Sequence, residues 1–215
     1  AGAEHIGIDN KTVESCLQTN ASRYDKGGDM HYDIISAFIK SIRGSDPNAA
    51  IYYLARMIDG GEDPKFIARR LCISASEDIG LANPNALLLA NACFQTVSSI
   101  GMPEGRIPLA ETTIYLASSP KSNSAYLAIN EAMQVASQTQ AESVPMALRN
   151  APTKLMEELG YHDGYKYSHD FPGHFVDQEY MPEGLKGKVF YQPAENRHED
   201  VLAAYLKSCW PKYYK

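Results

Sequence analysis

Apolar residues recur at helical spacing along the first two thirds of the chain. Met30, Ile34, Phe38 and Ile42 fall four apart, thickened by Ile35 and Ile39, and predict a helix over about Met30 to Arg43. Ile51, Leu54 and Ile58 do the same for Pro47 to Asp59. Ile67 and Leu71 mark the inner face of a helix that opens at Pro64, with Arg69 and Arg70 beside them. The helix predicted from Pro84 to about Ser99 differs: Ala86 to Ala90 and Ala92 to Phe94 are apolar almost all round, and Asn91, Gln95 and Ser98 form a narrow polar stripe. Such a helix lies at the centre of a domain or is shared with another subunit. The next helix is predicted over about Ile107 to Ala117, with Ile107, Ala110 and Ile114 on one face. Ala125, Ile129, Ala132 and Ala136 are expected to be buried by a helix over about Ser122 to Ser137, where alanines suit close helix approach.

Punctuation agrees with this reading. Asp46-Pro47, Asp63-Pro64 and Asn83-Pro84 each set a capping side chain before a proline. The side-chain oxygen accepts from the first unpartnered backbone N–H groups, and proline at the first helical position has no N–H to satisfy. Gly44, Gly60 and Gly80 are expected to close the preceding elements. After Gln138 the periodicity thins. A short helix is expected over Thr153 to Leu159, stopped by Gly160, and a last one over about Glu199 to Ser208. Between them, Pro172, Pro182 and Pro193 forbid long elements. Near the start, only Thr12 to Leu17 suggests a helix, and a short one. The fold class expected is all-α: a compact multi-helix domain with an irregular C-terminal extension.

Composition changes this picture little. Hydrophobic residues make up 44% of the chain, enough for a packed core and too many for global disorder. A formal net charge of -6 argues against a broad DNA-coating surface, though not against a local basic patch. No apolar run approaches a membrane span. Cys16, Cys72, Cys93 and Cys209 lie far apart without C-x-x-C pairing, and read as free thiols in a reducing cytoplasm.

Candidate chemistry is sparse. The chain has no G-x-x-x-x-G-K-[ST] phosphate loop, no G-x-S-x-G elbow and no H-E-x-x-H zinc motif. His162, Asp163, His169, Asp170 and His174 form one metal-like cluster. Its spacing fits no compact template, and such residues more often cap turns. Tyr161, Tyr165 and Tyr167 alternate with polar residues around it, where rings either stack on nucleobases or pin the segment to the helices. The ending CWPKYYK interleaves aromatics with lysines; it reads as a contact for nucleic acid or a neighbouring subunit, or as a frayed terminus. Arg43, Arg69, Arg70, Lys121, Arg149 and Lys154 are the basic residues placed to meet DNA or another domain, with Tyr165 and Tyr167 beside the last two. Ordinary ion pairs and helix-end contacts are the alternative for each.

Long stretches of the chain also carry a resemblance. They are RYDKGGDMHYDIISAFIKSIRGSDPNAAIYYLARMIDGGEDPKFIARRL, ASEDIGLANP, YLASSPKSNSAY, VPMALRNAPTKLMEELGY, YKYSHD and YMPEGLKGKVFYQP. In order and without large gaps, they resemble the C-terminal region of the bacterial replication-associated recombination protein A family. It is also called the maintenance-of-genome-stability protein A family, and is related to the eukaryotic Werner-helicase-interacting ATPase. The resemblance implies an AAA+ ATPase related to clamp loaders, acting at stalled or damaged forks. It implies tetramers assembled through this region, DNA at forks or ends and single-strand binding protein as partners, and a cytoplasmic, nucleoid-associated place. ATP and magnesium are expected upstream of this chain, which carries no ATP-site residue and no enzymatic activity of its own. The expected division is an AAA+ lid end over 1–29, a helical oligomerisation domain like a clamp-loader collar over 30–140, and a family-specific segment over 141–215. Leu87, Phe94, Ala125, Ile129 and Ala132 are the expected oligomer interface, with burial in the monomer core as the alternative. The competing functional readings are a nucleic-acid-binding module centred on Arg149, Lys154 and the tyrosines, and a metal-dependent enzyme built on the His/Asp cluster.

Overall fold

Asp46 accepts hydrogen bonds from the backbone N–H groups of Asn48 and Ala49, and Asp63 accepts from that of Lys65, each just ahead of a proline. These caps start two of the eight α-helices in the computed structural model, which describes residues 29–215. The helix expected at Thr12 to Leu17, Cys16 and the lid segment up to residue 28 lie outside the described residues. The helices are α1 (Asp29–Arg43), α2 (Pro47–Asp59), α3 (Pro64–Ser74), α4 (Asn85–Ile100), α5 (Arg106–Ala117), α6 (Ser124–Gln138), α7 (Lys154–Glu158) and α8 (Arg197–Cys209). No strand occurs among the described residues, so the all-α expectation holds.

The chain divides into two units between Asn123 and Ser124. The sequence reading ended the helical domain at 140; α6 falls in the second unit.

In the first unit, α1 to α5 surround one core. Phe38, Ile42, Met57, Ile67, Leu71, Leu109 and Leu116 are fully buried there. Each such side chain contributes roughly 1.5–3 kcal/mol on leaving water. The turns after α1 and α2 repeat one motif. Ser45 and Gly61 take left-handed φ of 60° and 73°. Asp46 N–H reaches back to the Ser41 carbonyl, and Glu62 N–H to that of Met57. The left-handed residues are therefore Ser45 and Gly61, one position beyond the glycines that the sequence pointed to. Between α3 and α4 the chain makes one π turn, Ala75–Ile79, then a short 3-10 turn. Gly80 closes the π turn with φ 48°, and a Cβ there would stand 2.7 Å from the Ser122 carbonyl oxygen. That close approach is open only to glycine.

The structure decides which face three of the helices bury. Helix α4 buries only Ala86, Ala90, Cys93 and Val97, and its Leu87 and Leu88 are exposed. The all-round apolar character is thus not a central position: a stripe of mostly small residues faces the core, and Leu87 and Leu88 face outward. Helix α5 buries Leu109, Thr112, Thr113, Leu116 and Ala117, while Ile107 and Ile114 point out. Threonine can be buried there because Thr113 Oγ1 donates to the Leu109 carbonyl one turn back, at 2.7 Å. Helix α6 does not bury Ala125, Ile129 or Ala136, all exposed; Ala132 is half-buried.

The second unit is built differently. Its described residues, Ser124–Lys215, include no buried hydrophobic side chain; the residues buried there are Ser124 and Glu199. Polar ties hold it. Glu131 pairs with Lys188, Asp177 with Lys212, and the Gln178 side chain bonds both the N–H and the carbonyl of Lys166. The chain end is packed rather than frayed: Trp210 meets Phe175 edge-on at 5.1 Å and stacks on Tyr213 at 5.6 Å.

Candidate functional site

Two kinds of surface compete for a functional role: the basic residues and the exposed apolar faces.

Of the basic residues in the first unit, Arg43 and Lys121 come together at one junction. The Arg43 guanidinium bonds Asp78 through Nε and Glu77 through Nη2. Asp78 lies on the π turn, almost fully buried, and also accepts from Ser74 Oγ at 2.8 Å. Lys121 Nζ donates to Ser45 Oγ and to the carbonyls of Ala117 and Ser119 at the end of α5. Burial lowers the Lys121 pKa from its ordinary value, opposed by the charge of Asp78. This junction ties the ends of α1 and α5 to the π turn. Neither cation is presented as an open phosphate contact. Arg69 pairs with Asp63 at 3.6 Å and lies over the Phe66 ring. Arg70 is half-buried, with a buried Nε that has no hydrogen-bond acceptor.

In the second unit, Arg149 donates from Nε to the Val144 carbonyl and lies 5.3 Å over the Tyr161 ring. Lys154 is exposed at the first position of α7, behind its cap Thr153. Tyr165 is half-buried against His162; Tyr167 is exposed against His169, whose ring lies tilted 4.9 Å from that of His174. A polar hollow of about 570 Å³ lies between Asn150, Glu157, Tyr161, His162 and Asp163. Among the described residues, no three His, Cys, Asp or Glu side chains converge as a metal site would require. The five-residue His/Asp cluster therefore does not assemble, and its members sit in successive tight turns, His162 and His174 with positive φ.

The apolar faces are broader. On α4, Leu87 is exposed, whereas Phe94 is half-buried and packed on the core. On α6, Leu127, Ile129 and Met133 are exposed, at 55, 55 and 65%. On α8, Val201, Leu202 and Tyr205 are exposed as a row. A groove of about 770 Å³ runs between α2 and α5, lined by apolar side chains together with Asp59, Arg106 and Glu111.

Sequence reasoning missed the residues that organise these surfaces. Asp78 and Glu199 look like ordinary helix carboxylates in the sequence. Glu199 stands three positions after Asn196, a capping-box spacing that was the available signal. Its carboxylate accepts from Ser124 Oγ, Tyr191 OH, Ala194 N–H and Asn196 Nδ2, fixing α8 to the start of α6.

Residues 44–210 match the family model described as MgsA AAA+ ATPase C terminal, and residues 1–43 match that of an AAA C-terminal domain. The boundary falls inside the first unit: α1, on one side of it, buries Phe38 and Ile42 in the same core as α2 to α5. A replication-associated recombination protein A of Bacillus subtilis is 48% identical over 194 residues, covering 90% of this chain and 45% of that protein. An uncharacterized AAA domain-containing protein of Mycobacterium tuberculosis is 50% identical over 206 residues, 96% of this chain and 45% of its own length. ATPase WRNIP1 of Dictyostelium discoideum is 43% identical over 188 residues, 87% of this chain and 22% of its own length. The chain thus spans less than half the length of each of these relatives. No helix among the described residues is long and apolar enough to cross a membrane. With a family model matched from Gly44 to Trp210 on an all-helical chain, this protein belongs to the MgsA AAA+ ATPase C-terminal family.

Proposed function

We propose that this chain is an assembly domain: a collar, like that of clamp loaders, that joins copies of an AAA+ ATPase into a homotetramer working in replication-fork maintenance and recombination. The observation that carries the reading is the imbalance of the second unit. Its described residues bury no hydrophobic side chain, yet they expose Leu127, Ile129, Met133, Leu155, Val201 and Tyr205. Exposed apolar rows on α6 and α8 are available as an interaction face. A homo-oligomer covers such a face in register on every copy. In this reading ATP and magnesium are bound outside this chain. DNA at forks or ends and single-strand binding protein are partners of the assembled protein.

The test is the solution mass of the chain, by light scattering over a concentration series. A tetramer that persists on dilution supports the reading; a monomer at every concentration overturns it. The second reading, a nucleic-acid-binding module, has less behind it: Arg149 is engaged by Val144 and Tyr161, and Tyr165 is half-buried.

A further inference from the structure

Resting on the assembly reading, we infer that α8 of one copy docks into the groove between α2 and α5 of a second copy. The groove is shallow, open and apolar, with Ile51, Ala55, Ile58 and Ile107 in its lining, and it carries two carboxylates, Asp59 and Glu111. Arg106 also lines it, with its guanidinium donating to the Pro103 carbonyl. The matching convex element is α8. Arg197, Val201 and Tyr205 follow one another at intervals of four along its exposed side, with Leu202 next to them.

Three properties select this helix as the occupant. Its ridge is apolar with Arg197 at one end and exposed Asp200 beside it, opposite-charge counterparts for a groove that holds Asp59, Glu111 and Arg106. Tyrosine and arginine are the residue types that carry most of the energy at interface centres. The helix is also held in place before any partner arrives. Asn196 caps its start, the buried Glu199 carboxylate anchors its first turn, and Trp210 secures its end within the aromatic cluster. A rigid ridge loses little conformational freedom on docking. Other apolar rows, such as that on α6, bring no cation to the groove's carboxylates.

Groove and ridge are different surfaces, so the contact is head-to-tail, and a closed assembly forms where the rotation between copies closes. That makes a mixing experiment decisive. One variant blocks the groove (Ala55→Arg with Ile107→Lys) and keeps the ridge. The other blocks the ridge (Val201→Glu with Tyr205→Glu) and keeps the groove. All four positions are exposed, so the fold is retained, and circular dichroism checks that it is. Each variant alone is expected to associate about tenfold more weakly, or worse, than the parent chain. Mixed one to one, they are expected to form a heterodimer through the one intact groove and the one intact ridge, seen by native mass spectrometry. Variants that still assemble like the parent overturn this contact while the assembly reading stands. Variants that remain monomeric when mixed overturn it too, since a head-to-tail contact is bound to complement. A parent chain that is monomeric throughout overturns both.

Discussion

Ser124 Oγ donates to Glu199 Oε1 at 2.5 Å, and these two polar residues are the buried ones in a unit that buries no hydrophobic side chain. The bond joins the first residue of α6 to the third residue of α8 across 75 positions of chain. A buried carboxylate is tolerated when its lone pairs are filled, and here hydroxyl, amide and backbone donors fill them. Glu199 is the hub of the network, so its loss strands several donors at once. Glu199→Ala is expected to destabilise the second unit by about 2–3 kcal/mol. Ser124→Ala removes one donor of several and is expected to cost about 1 kcal/mol. Trp210 is the single tryptophan of the chain and lies in this unit, so urea titration followed by its fluorescence reads the difference. Equal losses for the two variants, or none, would show that the network is not what holds α8.

Tyr191 makes the same network sensitive to alkali. Burial, then its hydrogen bond to Glu199 and that residue's charge, push its pKa from 10.0 up to about 12. A folded pKa above the unfolded one means that the folded state holds the proton more tightly. The stabilisation is therefore complete below pH 10.0 and is lost as pH rises towards about 12. Stability of the second unit is expected to fall across that window. Tyr191→Phe should flatten this part of the profile by the contribution of one proton, measured by urea midpoints at stepped pH with Trp210 as the probe.

Arg43 neutralises a carboxylate that the fold has taken out of water. Asp78 is buried, Arg43 is half exposed, and the pair joins α1 to the π turn. Arg43→Ala is expected to destabilise the first unit by about 1–3 kcal/mol, because the acceptor stays behind with fewer partners. Asp78→Asn, which keeps the shape and the bond to Ser74, should be milder. Thermal unfolding of the two variants by circular dichroism checks the order.

Gly80 is a backbone requirement rather than a packing choice. A methyl group there meets the Ser122 carbonyl at 2.7 Å in a left-handed backbone conformation. Gly80→Ala is expected to cost at least about 1–2 kcal/mol. Gly61, also left-handed but with nothing within 4 Å of the added atom, serves as the control. Gly61→Ala should cost less, and a reversed order in melting temperature would contradict the close approach at Gly80.

Salt dependence separates the two roles open to Arg149. A residue that neutralises a phosphate contributes about 0.9 to the slope of log affinity against log salt on duplex DNA. With its guanidinium held by Val144 and Tyr161, Arg149 is expected to leave that slope unchanged when replaced by alanine. A slope shallower by about 0.9 in Arg149→Ala would return it to the DNA surface.

Helix positions were legible because helix signals are local. The spacing of Ile34, Phe38 and Ile42, and the Asp-Pro pairs at 46 and 63, act within a few residues, so α1 to α3 fall close to where the sequence puts them. Resemblance carried the family for a similar reason, since long blocks of side chains matched in order. The site was less legible. Arg43 and Lys121 were visible as cations at helix ends. That Arg43 is matched by the buried Asp78 could not be read, because the two carboxylates it meets lie 34 and 35 positions away.

The sequence by itself determined that this chain is a string of capped helices ending in an irregular, aromatic-rich segment. It also fixed the family, since capping, periodicity and motif order are all written along the chain. Only the tertiary structure decided which face each helix turns inward. Ile107 and Ile114 are as hydrophobic as Leu109 and Leu116, and periodicity cannot choose between two apolar stripes on one helix. The choice was made by where α2, α3 and α4 lie, and by Thr113, whose hydroxyl is satisfied within α5. The same holds for the second unit. Its polar hub at Ser124 and Glu199 and the contact of Trp210 with Phe175 arise from residues far apart in sequence, brought together only when the chain folds.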